Sequence, residues 1–184
     1  MLMSRDEIKA AGLIQNSVPQ RYQAASYNIG VGRIILPGGK EAEAYQIPPL
    51  GMVKAVSVER VKLPKDILSY ATVKTGLSSE GILAINIGLV DPEYEGLISS
   101  ILINFSKNDY HLERGDEFLR LTFHKYTAPA DPLPTPSHKT TDENYITGTK
   151  KSFVEKFSAT FLNIEENTRE FLRKELGSGQ TRNM

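Results

Sequence analysis

"KTGLSSEGILAINIGLVDPEYEG", residues 74–96, reads as a strand, a tight turn and a second strand. The segment carries a carboxylate, Asp91, three residues before an aromatic, Tyr94, and Gly76 and Gly96 frame it. On either side the texture is the same. Runs rich in Ile, Val and Leu ("IGVGRIIL", "MVKAVSVERVKL", "SYATVKT", "ILAINIGLV", "LISSILINF", "DYHLE", "EFLRLTFHKY") alternate with "PGGK", "IPPLG", "LPKD", "DPEYEG", "SKND" and "RGDE". Short apolar runs separated by frequent turn signals predict an all-β barrel or sandwich between Tyr27 and about Tyr126.

Both ends depart from that pattern. Ser4 is a good helix N-cap, Glu7 completes a capping box, and Ile8 and Leu13 supply apolar anchors, which predicts a short helix over residues 4–14. The stretch "APADPLPTPSHKTTD", residues 128–142, has four prolines in its first nine positions and reads as an extended arm. Beyond it, Val154, Phe157, Phe161, Ile164, Thr168 and Phe171 recur at three- and four-residue spacing, the seam of an amphipathic helix. That seam either docks on its own barrel or bundles with copies from neighbouring subunits. The domain reading is a β domain over 1–127, a Pro-rich arm over 128–147, and a C-terminal helix with its tail over 148–184.

Composition narrows the function classes. The chain has 184 residues, 22 Lys plus Arg against 22 Asp plus Glu, and no cysteine. Zero net charge argues against general nucleic-acid binding, which draws its affinity from a basic surplus. Without cysteine there is no disulfide, thiolate nucleophile or cysteine zinc site. The opening residues carry Arg5, Asp6, Glu7 and Lys9 with no continuous apolar run, and no long apolar stretch follows. A cytoplasmic protein with no signal peptide and no membrane partner is the expectation.

Four segments, in order, resemble the motifs of the dUTPase and dCTP deaminase superfamily. "ASYNIGVG" resembles its first motif, with Asn28 where Asp is common. "KTGLS" resembles the Arg-Ser-Gly-Leu phosphate loop. "GLVDPEYEG" resembles Gly-Val-Ile-Asp-x-Asp-Tyr-Arg-Gly, and "NFSKNDYHLERGDEFLRLTF" resembles the strand, turn and Gly-Asp-Arg-Ile-Ala-Gln-Leu segment that follows. The resemblance covers roughly residues 4–126. It implies a mainly β, dUTPase-like barrel (a distorted jelly roll) with the short N-terminal helix and the C-terminal amphipathic helix appended, assembled as a homotrimer. The N-terminal helix and "VDPEYEG" resemble the deaminase branch more closely.

The resemblance also implies roles. Asp91 stands where dUTPases hold the water-activating carboxylate. Tyr94 stands where an aromatic packs on deoxyribose. Lys74, Thr75, Gly76 and Arg120 stand near phosphates, and Asn86 and Gly88 near the edge of a pyrimidine. Mg²⁺ is the implied cofactor, with Asn28 in the place of a metal-site carboxylate. The deaminases use a glutamate five residues after the glycine equivalent to Gly96; here that position is Ile101, which cannot move a proton. Ser79 likewise replaces a phosphate-contacting Arg of that branch.

Two readings follow. One is a dUTPase-like enzyme cleaving a deoxynucleoside triphosphate to monophosphate and pyrophosphate at an inter-subunit site. The other is a trimeric protein that keeps the pocket without turnover and sequesters or senses a nucleotide, either a pyrimidine deoxynucleotide or a signalling nucleotide other than dUTP. A purely structural trimer is the third possibility. In that case Asp91–Pro92 is only a turn opener, Tyr94 a rim aromatic, Lys74 and Arg120 surface charges, and the charges of "KNDYHLERGDE" a solvated hairpin.

Overall fold

A computed structural model describes residues 1–85, 88–128 and 141–179. In chain order the regular elements are α1 (Arg5–Ala10), β1 (Ile14–Gln15), β2 (Tyr22–Gln23), β3 (Ser26–Ile35), β4 (Glu41–Ala42), β5 (Ala44–Ile47), β6 (Met52–Lys62), β7 (Ile67–Val73), α2 (Thr75–Ser79), β8 (Ile82–Ala84), β9 (Leu89–Val90), β10 (Glu95–Asn104), β11 (Tyr110–Glu113), β12 (Glu117–Lys125), α3 (Asp142–Lys156) and α4 (Ile164–Gly179).

The main sheet runs β8-β10-β6-β3-β12-β7-β9, with β1 on β6 and β2 and β4 on β3; β5 and β11 form a separate pair. Every ladder is antiparallel. Strand β3 turns the corner of this curled sheet. Its first half, Tyr27 to Gly30, pairs with β12, and its second half, Val31 to Ile35, pairs with β6. The register slips at Val31/Arg33 against β6 and at Glu117/Leu119 against β12, so bulges sit where the strand changes partner. The glycines there are required by close approach. A Cβ on Gly32 would lie 2.7 Å from the Ser57 carbonyl oxygen, and one on Gly30 would collide with the Arg21 guanidinium. That guanidinium reaches Glu59, fully buried and also hydrogen-bonded by the Tyr27 hydroxyl at 3.1 Å and the Gly30 amide at 2.9 Å.

Two apolar clusters lie on opposite faces of β6 and β10. Inside the curl, Ile29, Val31, Ile34, Val53, Ala55, Leu102, Phe118 and Phe123 pack together. On the outer face, Ile35, Met52, Val56, Leu97, Ile101 and Ile103 pack around Phe153 of α3. Burial on both faces explains why these strands read as near-continuous apolar runs and not as an alternation.

The N-terminal prediction holds with a shorter helix. Ser4 caps α1, the box with Glu7 is closed, and Ile8 and Leu13 are buried. Three expectations need correction. Lys74 to Ser79 is not strand: Lys74 is the N-cap of the short helix α2. "ILAINIGLV" is not one strand, because β8 pairs with β10 while β9 pairs with β7. The C-terminal seam is not one continuous helix. α3 begins at Asp142, within the stretch read as the arm, and ends at Lys156, where Phe157 turns to an extended φ of −124°. Ala159 and Phe161 then bond to Met52 and Leu50, and Leu162 and Asn163 take positive φ of 65° and 47° before α4 begins. The residue α3 buries is Phe153, outside the predicted seam. Val154 and Phe157 remain 43% and 36% exposed.

Candidate active site

The turn after β9 builds the first half of the site. Gly88, Leu89, Val90, Asp91 and Tyr94 line a pocket of about 240 Å³ together with Ala71, Ile98, Ser99 and Tyr145. The Tyr94 amide donates to the Asp91 carbonyl at 3.2 Å, and Glu93 sits at a φ of 64°, so the chain reverses tightly and returns Tyr94 beside Asp91. The Tyr94 hydroxyl donates to the Leu97 carbonyl oxygen. Burial, and then the adjacent Tyr145 phenol, push Tyr94 above the ordinary range of a tyrosine, so it remains a neutral donor at neutral pH. The Asp91 side of the pocket opens to solvent, and among the described residues no cation pairs with its carboxylate.

The second half lies across β3, β12 and β7. Arg120 is the cross-strand partner of both Asn28 and Thr72. Its Nε donates to Asn28 Oδ1 at 3.0 Å, and Asn28 Nδ2 donates to Glu117 Oε2 at 3.0 Å. The Lys74 ammonium donates to the same Glu117 oxygen. Lys74 is fixed by its own amide, which bonds to the Phe118 carbonyl at 3.1 Å, and by its place at the head of α2. Thr75 and Gly76 follow it and are exposed. A Cβ on Gly76 or on Gly88 would meet no neighbouring atom within 4 Å among the described residues, so packing among them does not require glycine at either position.

The structure therefore gathers Gly88, Asp91 and Tyr94 into one pocket, and Lys74, Arg120 and Asn28 into one polar chain, and the pocket lining contains none of the second group. Ala71 lines the pocket and Lys74 is three residues further on, roughly 10 Å along an extended chain. Asn86 lies outside the described residues. Asn28 does not fit the metal role. Its oxygen already accepts from a guanidinium and its nitrogen is a donor, and a cation beside Arg120 would be repelled. Among the described residues no group of three or more His, Asp or Glu could hold a metal ion.

Sequence reasoning missed Glu117 and Tyr145. Glu117 was read among solvated hairpin charges, yet it is the acceptor joining Lys74 to Asn28, and it stands where the Gly-Asp-Arg-Ile-Ala-Gln-Leu motif has Arg. Period-two counting puts 117 and 120 on opposite faces; the bulge between Glu117 and Leu119 brings them to one side. Tyr145 lies in the segment read as an arm. Its hydroxyl and Ser99 Oγ are 2.9 Å apart, and Asp142, one turn earlier, pairs with Arg60. Ile101, at the deaminase glutamate's place, is 5% exposed in the cluster around Phe153.

Comparison with known proteins completes the description. No family model matches the chain. It is 31% identical over 135 residues to a dCTP deaminase of Thermococcus gammatolerans, covering 71% of this chain and 85% of that one. A dCTP deaminase of Pyrococcus horikoshii is 30% identical over 134 residues. A putative deoxyuridine 5′-triphosphate nucleotidohydrolase of Frog virus 3 is 26% identical over 120 residues, 65% of each chain. The crystal structure of a 2′-deoxycytidine 5′-triphosphate deaminase from Agrobacterium tumefaciens superposes with a TM-score of 0.57 at 13% identity. That superposition spans 66% of this chain and 48% of the other, and it bears on the fold alone. With the curled mainly β sheet and the motifs in order, this relatedness establishes that the chain belongs to the dUTPase and dCTP deaminase superfamily.

Proposed function

We propose that the protein cleaves a pyrimidine deoxynucleoside triphosphate to the monophosphate and pyrophosphate. The observation that carries this reading is the pocket in which Asp91, Tyr94 and Gly88 converge. Asp91 takes a proton from the attacking water, whose oxygen bonds to the α-phosphorus. The bond from that phosphorus to the bridging oxygen breaks, and pyrophosphate leaves with the bonding pair. The Tyr94 ring lies against the sugar, where a 2′-hydroxyl has no room. Lys74 and Arg120 face the phosphates, and Thr75 and Gly76 add a hydroxyl and backbone N–H groups.

Because the pocket and the cationic chain do not share a lining, the reading pairs the Asp91 pocket of one chain with the Lys74–Arg120 cluster of a neighbour in a homotrimer. The open space at Gly76 and Gly88 supports close approach from outside the chain. Mg²⁺ belongs to this reading only as the counterion of the substrate's phosphates. Deamination does not, because Ile101 offers no proton.

A specific observation favours a second reading, nucleotide binding without turnover. Glu117 neutralises Lys74, so the cluster presents one net positive charge to a polyanionic ligand. Transition-state charge on the phosphates is then poorly met. A thermal-shift panel of nucleotides with and without Mg²⁺, followed by a pyrophosphate-release assay on those that stabilise, separates the two readings. Light scattering that finds only monomer at micromolar concentration refutes the shared site.

A further inference from the structure

The pocket has one wall that the family motifs do not supply. Among the described residues, eight that line it fall between Ala71 and Ser99, and the ninth is Tyr145 of α3. This residue lies beyond the stretch, roughly 4–126, in which the motifs fall. Three contacts fix α3 there. Asp142, in its first turn, pairs with Arg60 of β6. Phe153, three turns on, is 1% exposed among Ile35, Met52, Val56 and Ile101. Between them the Tyr145 hydroxyl meets Ser99 Oγ at 2.9 Å. A helix held at both ends places the phenol against the pocket with little freedom to withdraw.

We propose that Tyr145 is a specificity-determining residue of the nucleotide site, a ring wall contributed by the chain's own C-terminal helix that limits the base to a single ring. The inference rests on the functional reading above. About 240 Å³ is below the ~300–1,000 Å³ usual for pockets that enclose larger organic ligands. Tyr94 stands beside Tyr145, and Gly88, Leu89 and Val90 complete the lining near them, so two neighbouring aromatic rings contribute to the cavity wall. The hydroxyl pair of Tyr145 and Ser99 offers a donor and an acceptor at the wall, the functions needed to meet the polar edge of a pyrimidine. A two-ring base needs the volume that the Tyr145 ring fills.

The test is titration calorimetry of the full chain with the α,β-imido analogues of dUTP, dCTP, dATP and dGTP, for wild type, Tyr145→Phe, Tyr145→Ala and Asp142→Asn. Wild type is expected to prefer the pyrimidine analogues. Tyr145→Ala should weaken pyrimidine binding by about 10-fold, the worth of one aromatic wall, and bring purine and pyrimidine affinities within about 3-fold of each other. Tyr145→Phe keeps the ring, so it should keep the preference while losing a few-fold from the missing hydrogen bond. Asp142→Asn loosens the helix but keeps the phenol, so it should weaken all four analogues alike. Hydrogen exchange on the wild type should show residues 142–149 protected when the pyrimidine analogue binds, a readout that needs no variant to fold. Pyrimidine binding by the wild type that Tyr145→Ala leaves unchanged, or weakens in equal measure for all bases, overturns this inference and leaves the proposed site standing. A wild type that binds none of the analogues overturns the functional reading itself.

Discussion

Ile101→Glu places a carboxylate where the resemblance sets the deaminase glutamate, and its outcome follows from what covers that position. Ile101 is 5% exposed, beneath Phe153 of α3. Burying an ionised carboxylate there costs several kcal/mol even after relaxation. Against this stands what holds α3 down. Burial of Phe153 is worth about 1.5–3 kcal/mol, with smaller shares from the partly buried Tyr145 and Ile146. The half-exposed pair of Arg60 and Asp142 adds about 0–1 kcal/mol. The two sides are comparable before the entropy of ordering α3 is counted, so α3 leaves the sheet. The inner cluster, to which Ile101 does not belong, remains. The fold then loses the docking of α3, of the order of the burial of Phe153, a drop in Tm of about 4–10 °C.

Hydrogen exchange should report loss of protection across 142–156 with β3, β6 and β12 still protected. Burial raises the introduced group's pKa in the docked state above its ordinary value of about 4.3. The docked state therefore binds more protons than the undocked one. Docking should be favoured below that value and lost as pH rises through the docked-state pKa. Ammonia release from dCTP should stay undetectable. Unchanged Tm with α3 protected at neutral pH, or restored deamination, would refute the reasoning.

Other outcomes are equally definite. Asp91→Asn should lower pyrophosphate release by about 100- to 10,000-fold, the share of a general base, with nucleotide affinity unchanged or higher by calorimetry. Glu117→Gln should free the Lys74 ammonium, tighten triphosphate binding and steepen its salt dependence; the same affinity and salt slope as wild type would show that Lys74 does not meet phosphate. Glu7 is held at a pKa of about 2, first by Lys125 and then by Ser4. Its folded value is depressed, so the stabilisation is present above the unfolded value near 4.3 and lost as pH falls toward 2. Melting curves of Glu7→Gln and wild type should differ at pH 7 and converge near pH 2. Phe153→Ala should release α3 while the barrel keeps its fold, which limited proteolysis between 141 and 156 reads directly.

How much of this was legible in the sequence depended on whether local pattern and tertiary placement agreed. The long strands were legible because Gly, Pro and Asp clusters bound each apolar run. The α1 cap was legible because Ser4 and Glu7 carry its chemistry themselves. The second core was only half visible: "SSILINF" is apolar on both faces, which implies a second layer, but nothing in the run says that Phe153 supplies it. The break after Lys156 has no Pro or Gly to mark it, since the left-handed turn falls on Leu162 and Asn163. Five residues of α2 are too few for helical periodicity to register. Asp91 and Tyr94 could be placed because they lie three positions apart in one turn. Glu117 could not, because a bulge decides which way it faces, and Tyr145 could not, because it reaches the pocket from a segment that reads as an arm.

The central claim, a dUTPase-type site built on Asp91, is tested most directly by measuring pyrophosphate and ammonia together from dUTP and dCTP with Mg²⁺, for wild type and Asp91→Asn. The account predicts pyrophosphate without ammonia from the wild type, and loss of at least about 100-fold in Asp91→Asn. Ammonia release, or pyrophosphate release that survives Asp91→Asn undiminished, would contradict it.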